Sequence, residues 1–246
     1  MFWWIVATLC AFFVKGLCGF ANTLVFSTIL SFGSNNINIS PIELLLGYPG
    51  NLILAWKEKR NIKWSICIPL AALVLLGNIP GIFLLKNADT GVIKLIFGFV
   101  IILIGMEMLF REMQNRKSNN EAEAKKGSKV VLAVIGVLSG ILCGLYGIGA
   151  LLGAYIGRVT KDTASFKANI CVVFVAENTF RLIMYSALGI ITYDAAVQAL
   201  VLLPLMLLGL AAGMMSGRIL SERIVKKLVI VLLILSGAAL VMNYFG

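Results

Sequence analysis

The stretch VKGLCGFANT, Val14–Thr23, places a lysine and two glycines in the middle of an otherwise apolar run. The chain around it is 60% hydrophobic and only 13% charged, whereas soluble domains carry about 25% charged residues. Most of its apolar segments are long enough to cross a bilayer as helices, and they are apolar throughout instead of alternating as barrel strands do. We therefore predict an all-α polytopic membrane protein with eight apolar segments, at 3–32, 41–56, 64–85, 92–110, 130–157, 168–191, 195–217 and 228–245.

Charge, cysteine usage and motifs exclude several function classes. The formal net charge is +10, but the basic residues cluster in short loops, which is an orientation signal and not a nucleic-acid surface. The five cysteines lie inside apolar segments without CxxC spacing, so neither a disulfide frame nor a metal site is predicted. The chain has no histidine, no GxSxG and no GxxxxGK[ST]. We expect that the protein is not an enzyme, that it binds no cofactor, and that any transport driven by ATP would need a separate subunit.

The two halves of the chain repeat each other. KGLCGFANTLV from residue 15 aligns with CGLYGIGALLG from residue 143, and LGNIPG from residue 76 aligns with LGLAAG from residue 208. A third pair, VIKLIFGF and IVKKLVIV, follows at residues 92 and 224. Because a polar, charged stretch at 111–129 separates the halves, we predict a first repeat at 1–110, a linker at 111–129 and a second repeat at 130–246.

The distribution of lysine and arginine favours one topology. If all eight segments cross the membrane, the two sides carry ten and nine basic residues, which gives no orientation. If the first and fifth segments are re-entrant hairpins, seventeen basic residues fall on one side and only Lys86 and Lys94 on the other. This asymmetry predicts two inverted repeats, each a re-entrant helical hairpin plus three transmembrane helices, with both termini outside. Two tilted, glycine-kinked spans are the alternative.

The hairpin explains the opening stretch. Its arms, 3–14 and 20–31, are 12 residues each, or about 18 Å of helix, so each reaches past the middle of the hydrocarbon core. We expect the turn at Gly16 and Gly19 and its counterpart at Gly144, Gly147 and Gly149, because glycine permits backbone angles that other residues resist. Broken backbone at membrane depth is tolerated where it lines a cavity or is buried in protein.

These motifs resemble the sulfite exporter TauE/SafE family, and the second half, with GILCGLYGIGALLG and KANICVVFVAENT, is the closer match. The run of three glycines typical of the family is replaced here by Gly147, Ile148, Gly149 and Ala150. The resemblance implies a multi-pass protein of the bacterial inner membrane that carries small sulfur-containing anions such as sulfite, sulfonates or sulfoacetate. We expect secondary transport coupled to protons or sodium, and the sequence leaves the oligomeric state open, with a homodimer as one alternative. A thiol relay for thiosulfate through Cys18 and Cys143, and a passive anion channel, are the competing functions.

The predicted substrate site combines backbone amides with buried polar side chains. Half-helix N-termini suit a compact anion, and an intramembrane cation must face a cavity, an anion or a carboxylate. Glu177 and Arg181 stand one helical turn apart, so they form a structural pair or a gated, proton-coupled site. Glu43, near a segment end, is expected at the water interface. The predicted site residues are Lys15, Gly19, Phe20, Ala21, Asn22, Thr23, Asn51, Tyr146, Gly147, Ile148, Gly149, Ala150, Asn169, Glu177, Asn178 and Arg181.

Overall fold

The structure is a computed structural model, and it is helical throughout the part of the chain that it describes. The described residues are 1–31, 39–87, 129–147, 149–160 and 162–217, together with 95, 98–99, 102–103, 105–106, 109–110, 227, 230–231, 234–235, 237–238 and 241–242.

The described residues form eight α-helices, which fall into two series with matching order. The first series is α1 (Phe2–Cys18), α2 (Asn22–Ser31), α3 (Ile39–Lys57) and α4 (Trp64–Asn87), with a short 3-10 turn at Lys59–Asn61. The second series is α5 (Lys129–Tyr146), α6 (Ala150–Val159), α7 (Thr163–Ala187) and α8 (Tyr193–Ser216). Each series opens with a helix of 17 or 18 residues followed by one of 10. The fourth helices have 24 residues each, whereas the third helices differ, with 19 residues in α3 and 25 in α7.

Glycines bring the first helix of each series into close contact with the last helix of the other. Gly209 of α8 faces the backbone of Leu9, and Gly213 faces that of Phe13, so closely that an added Cβ would collide with carbonyl oxygens. The residue numbers of the contacts increase together along the two helices, so α1 and α8 run parallel. Small residues permit this approach of two helix backbones.

The same packing recurs between α4 and α5. Gly77 faces Val137 and Gly81 faces Ile141 across the helix interface, so these helices also run parallel. The glycine pairs Gly77–Gly81 and Gly209–Gly213 thus occupy equivalent contacts in the two series.

The third helices of the two series, α3 and α7, run antiparallel. The hydroxyls of Tyr48 and Thr179 are 3.1 Å apart, and Ser40 lies 3.1 Å from Tyr185, so contact positions fall along α7 as they rise along α3. By contrast, α4 runs parallel to α7, because Cys67 contacts Asn169 while Asn78 contacts Glu177 further along both helices.

Because the helices run in these directions, four chain connections lie at the same end of the bundle. The amide of Lys63 donates to Asn169 Oδ1 over 2.7 Å near the start of α7, and Lys57 Nζ lies 3.6 Å from Met214 Sδ near the end of α8. Since α5 runs parallel to α4, its start lies at the same end. The connections near residues 60, 129, 162 and 217 therefore share one end, which we call the basic end.

Among the described residues, three helices are long and apolar enough to cross a membrane, at Trp64–Leu84, Thr163–Ala187 and Tyr193–Ser216. The apolar helices Phe2–Cys18 and Leu132–Leu145 are shorter, and they are the opening helices of the two series. The predicted membrane segments 92–110 and 228–245 lie mostly outside the described residues, as does the linker except Lys129. Where they are described, Gly98 packs against Gly237 and Val241.

Two details of the predicted hairpins are wrong. The first arm extends to Cys18, about 25 Å of helix, so Gly16 lies within α1 and not in the turn. Gly144 likewise lies within α5. Both glycines are needed for packing: an added Cβ on Gly16 would lie 2.5 Å from Leu210 O, and one on Gly144 would lie 2.5 Å from Asn78 Oδ1.

Candidate functional site

Each series is interrupted between its first two helices. The first break spans Gly19–Ala21, where Gly19 has φ 87° and Ala21 φ 71°. The second break spans 147–149, where Gly147 has φ 73°. Glycine adopts positive φ without penalty, whereas Ala21 does so at a cost.

The two breaks meet through Thr23, in the first turn of α2. Its Oγ1 lies 3.0 Å from the carbonyl oxygen of Gly147 and 2.7 Å from Glu43 Oε1. A hydroxyl has one hydrogen to donate, so the same donor is shared between the second break and a carboxylate of α3. The junction of the breaks is therefore a polar, buried point inside an apolar protein.

Lys15 is the first cation at this junction. Its side chain is buried, with 1% of the residue exposed, and Nζ donates to Asn22 Oδ1 over 3.0 Å. Nζ also lies 5.9 Å from the centre of the Phe12 ring. An ammonium carries three N–H donors, and among the described residues no carboxylate lies within ion-pair distance of this one. Lys15 is thus a buried cation that the described side chains satisfy only in part.

Glu43 lies at the centre of the junction, and its predicted place at the water interface is wrong. It is 4% exposed, and Oε1 accepts from Asn22 Nδ2 over 2.6 Å as well as from Thr23. Its other oxygen, Oε2, accepts from Arg181 Nη2 over 3.2 Å. Gly47 and Gly50 keep α3 bare beside these groups, since an added Cβ on Gly47 would lie 3.0 Å from Glu43 Oε1.

Arg181 is the second cation, and it joins the two series. It is fully buried and forms ion pairs with Glu43 of α3, at 3.2 Å, and Glu177 of its own helix, at 3.4 Å. Nη1 also donates to the carbonyl oxygen of Cys143 over 3.0 Å. Asn78 Nδ2 of α4 donates to Glu177 Oε1 over 3.1 Å. The predicted pair of Glu177 and Arg181 is confirmed as a contact, and a carboxylate of the other series completes it.

We call this set the charged network, and it consists of Lys15, Asn22, Thr23, Glu43, Asn78, Glu177 and Arg181. It draws side chains from α1, α2, α3, α4 and α7 and reaches the backbone of α5 and the second break. Glu43 and Asn78 are the members absent from the predicted site. Asn78 stands in the LGNIPG motif, where a polar residue among small apolar ones was the available signal.

Some backbone amides at the two breaks donate hydrogen bonds to described carbonyl groups, and others do not. Gly19 donates to Lys15 O and Gly147 to Cys143 O, both over 2.7 Å, so these two amides close the ends of α1 and α5 and do not serve an anion. The amides of Phe20, Ala21 and Asn22 make no backbone hydrogen bond to the described residues outside helices. They stand at the positive end of α2 beside Lys15.

The other predicted site residues are dispersed. Asn51 and Asn178 are buried on α3 and α7. Asn169 lies elsewhere, holding the Lys63 amide at the basic end. In the second break, Gly149 is the N-cap position of α6 and has no side-chain cap. Ala150 begins α6, whereas Ile148 and the side chain of Tyr146 lie outside the described residues.

Two thiols and the Lys167 ammonium donate hydrogen bonds to carbonyl oxygens around the first break. Cys18 Sγ donates to Val14 O and Phe20 O, and Cys171 Sγ lies 3.5 Å from Gly19 O. Lys167 Nζ donates to Gly16 O over 3.3 Å. These contacts satisfy the end of α1. Within the described ranges, no group of three or more acidic or cysteine side chains is arranged to hold a metal ion.

Comparison with known proteins gives one finding. The family model described as Sulfite exporter TauE/SafE matches residues 4–240, nearly the whole chain. No curated protein and no solved structure matches the chain.

Proposed function

The chain belongs to the sulfite exporter TauE/SafE family, and from this premise we propose that it is a secondary transporter of small sulfur-containing anions of the sulfite, sulfonate and sulfoacetate class. The proposed substrate site lies beside Lys15 at the first break. The observation that carries the proposal is a buried ammonium with one hydrogen bond to described residues, beside a helix N-terminus whose amides make no backbone hydrogen bond in the described part of the chain.

Physical chemistry favours an anion at this position. An unpaired charge in a membrane interior is costly and is retained where it serves a site. Lys15 has two further N–H groups and lies beside the first residue of α2, where the helix N-terminus adds positive potential. Arg181 is a poorer candidate, because two carboxylates and a carbonyl already occupy its guanidinium.

The proposed architecture is a pair of inverted repeats. The contacts that support it are directional: α1 runs parallel to α8 and α5 to α4, while α3 and α7 run antiparallel. The end of α8 lies at the start of α7, since an added Cβ on Gly217 would lie 3.6 Å from Lys167 Nζ. By these contacts the first, third and fourth helices of one series point opposite to their counterparts in the other, which supports two hairpins that enter from opposite faces.

We assign the repeats to 1–110 and 130–246, with the linker at 111–129 between them. The shared location of four connections at the basic end supports a cytoplasmic position for that end, with the termini outside. The membrane assigned is the bacterial inner membrane, and movement of one repeat against the other would expose the site to alternate sides.

The test is radiolabelled sulfite flux into proteoliposomes that contain purified protein. We expect saturable flux with the wild type. Lys15→Met should reduce flux about 10- to 100-fold, because a hydrogen bond to a charged group is worth about 1.5–3 kcal/mol. The matched control is Lys59→Met, which removes the same charge from a side chain that stacks on Trp56, 4.4 Å from the ring centre, outside the network.

Equal flux for Lys15→Met and Lys59→Met, with both proteins monodisperse, would remove Lys15 from the site. Flux that rises linearly with sulfite and never saturates would indicate a passive channel. Cys18→Ala and Cys143→Ala test the thiol relay: a relay loses all flux in both variants, and an anion carrier retains it.

A further inference from the structure

The charged network is formally neutral. It holds two cations, Lys15 and Arg181, and two carboxylates, Glu43 and Glu177, all buried. A monovalent anion bound beside Lys15 would leave one uncompensated negative charge in a low-dielectric interior, which is strongly unfavourable. A proton taken up by one carboxylate restores neutrality.

We propose that Glu177 Oε2 is the atom that takes up this proton, so that anion and proton occupy the network together and cross in the same direction. The inference rests on the proposed function, because it names the coupling of the same site. It distinguishes Glu177 from Glu43, the other buried carboxylate of the network, on the basis of hydrogen-bond partners.

Glu43 has hydrogen-bond donors on both of its oxygens. Three donors from two helices converge there: Asn22 Nδ2 and Thr23 Oγ1 of α2 on Oε1, and Arg181 Nη2 of α7 on Oε2. The two shortest of these contacts are 2.6 and 2.7 Å. Both oxygens of Glu43 therefore accept hydrogen bonds from described donors, which leaves no bare carboxylate oxygen at this residue.

Only one oxygen of Glu177 accepts hydrogen bonds from the described residues. Oε1 accepts from Asn78 Nδ2 and, over a longer 3.4 Å, from Arg181 Nη1. Oε2 is buried and has no hydrogen-bond partner among the described residues. A buried carboxylate oxygen without a donor carries a desolvation penalty when charged, and protonation of that oxygen removes it.

The neighbouring amide offers the acceptor that the new O–H needs. Asn78 Oδ1 is also buried without a partner in the described part of the chain, and its Nδ2 already binds Glu177 Oε1. A carboxylic acid and a primary amide can exchange two hydrogen bonds, N–H to O and O–H to O, whereas a carboxylate accepts only. Protonation would therefore complete a pair that is half formed.

Protonation of Glu177 also changes the net charge of the network that contains Lys15. The charged and titratable groups around Glu177 are Arg181, Glu43, Lys15, the Cys143 thiol and the Tyr185 hydroxyl, and α4 contributes the neutral Asn78. When Glu177 becomes neutral, Arg181 retains one carboxylate partner instead of two. The network then carries a net charge of +1, which the anion beside Lys15 balances.

The experiment compares proton and anion movement in proteoliposomes, with radiolabelled sulfite for the anion and an entrapped pH indicator for protons. We expect the saturable sulfite flux that Glu177→Gln supports, at whatever rate, to carry about one proton fewer per anion than that of the wild type. The difference between the two proteins cancels any proton that sulfite itself carries. Glu58→Gln, at the turn after α3, is the matched control and should keep the wild-type ratio.

An unchanged proton-to-anion ratio in Glu177→Gln, with flux present, would overturn the inference and leave the proposed function standing. A wild type without saturable flux would instead refute the proposed function. Protons that move opposite to sulfite would also overturn the inference, since neutralisation requires a common direction.

A second measurement avoids the variant in case it does not fold. A hydrophobic carbodiimide reacts with protonated carboxyl groups, and peptide mass spectrometry locates the adduct in wild-type protein. We expect labelling at Glu177 to rise when sulfite is present, because the anion favours the protonated form. Labelling that is independent of sulfite, or that falls on Glu43 instead, would contradict the assignment.

Discussion

Gly147→Ala tests whether the second break is fitted to the charged network. Two costs add at this position. The first is backbone strain, because Gly147 has φ 73°, and a residue with a Cβ pays about 1–2 kcal/mol there. The second is steric: the new Cβ would collide with Arg181 Nη1 and lie 2.7 Å from Glu43 Oε2, which forces the buried ion pair apart.

The structure offers a control that isolates the second cost. Gly189 has φ 69°, almost the same backbone strain, and an added Cβ there meets nothing within 4 Å. Breaking a buried ion pair costs about 3–5 kcal/mol. We therefore expect Gly189→Ala to lower stability by about 1–2 kcal/mol and Gly147→Ala to lower it by several kcal/mol more.

Thermal unfolding in detergent, followed by intrinsic fluorescence, measures the difference. For a chain of this length, 1 kcal/mol corresponds to about 2–4 °C in Tm. Gly147→Ala should then melt roughly 6–20 °C below Gly189→Ala, and sulfite flux should be lost only in the former. Equal melting temperatures for the two variants would refute the claim that the second break packs against the ion pair.

Two further predictions use matched pairs in the same way, and a third uses the dependence of stability on pH. Thr23→Val should lower stability by about 1–3 kcal/mol and should also lower sulfite flux, since a buried carboxylate and a carbonyl of the second break lose their donor. Thr28→Val, which replaces a hydroxyl bonded within its own helix, should retain flux. Gly213→Val should unfold at a markedly lower temperature because its side chain would enter the backbone of α1, whereas Gly157→Val, with neighbours at 3.7 Å or more, should melt near the wild type. Asp162, the N-cap of α7, has its pKa lowered by the hydrogen bond from the amide three residues later, so the stabilisation is present at neutral pH and disappears as pH falls through that lowered pKa. Asp162→Ala should cost about 1 kcal/mol at pH 7 and progressively less under acid conditions, as measured by unfolding across a pH series.

The sequence predicted the position of the breaks better than their extent. Gly19 and Gly147 adopt the positive φ that a turn requires, so the glycine pattern located both breaks. Gly16 and Gly144 were assigned to the same turns, but each faces another helix at a distance that only glycine allows. A glycine needed for backbone freedom and one needed for close packing look alike in a sequence.

The charged network was only partly accessible to prediction. Lys15 and Arg181 stood out because each is a cation within an apolar segment, and their isolation was the signal. Glu43 gave no such signal, since it lies one turn from the start of α3 and would reach water if the second break did not cover it. Its partner Arg181 is 138 residues away, and local pattern contains no information on that contact.

The central claim is that an anion binds where Lys15 meets the first turn of α2. Selenite, the heavier analogue of sulfite, can be located directly by anomalous scattering from crystals of the protein soaked with it. We predict a selenium peak within hydrogen-bond reach of Lys15 Nζ and the Ala21 and Asn22 amides. A peak that lies instead on Lys167 at the basic end, with the Lys15 position empty, would contradict the account.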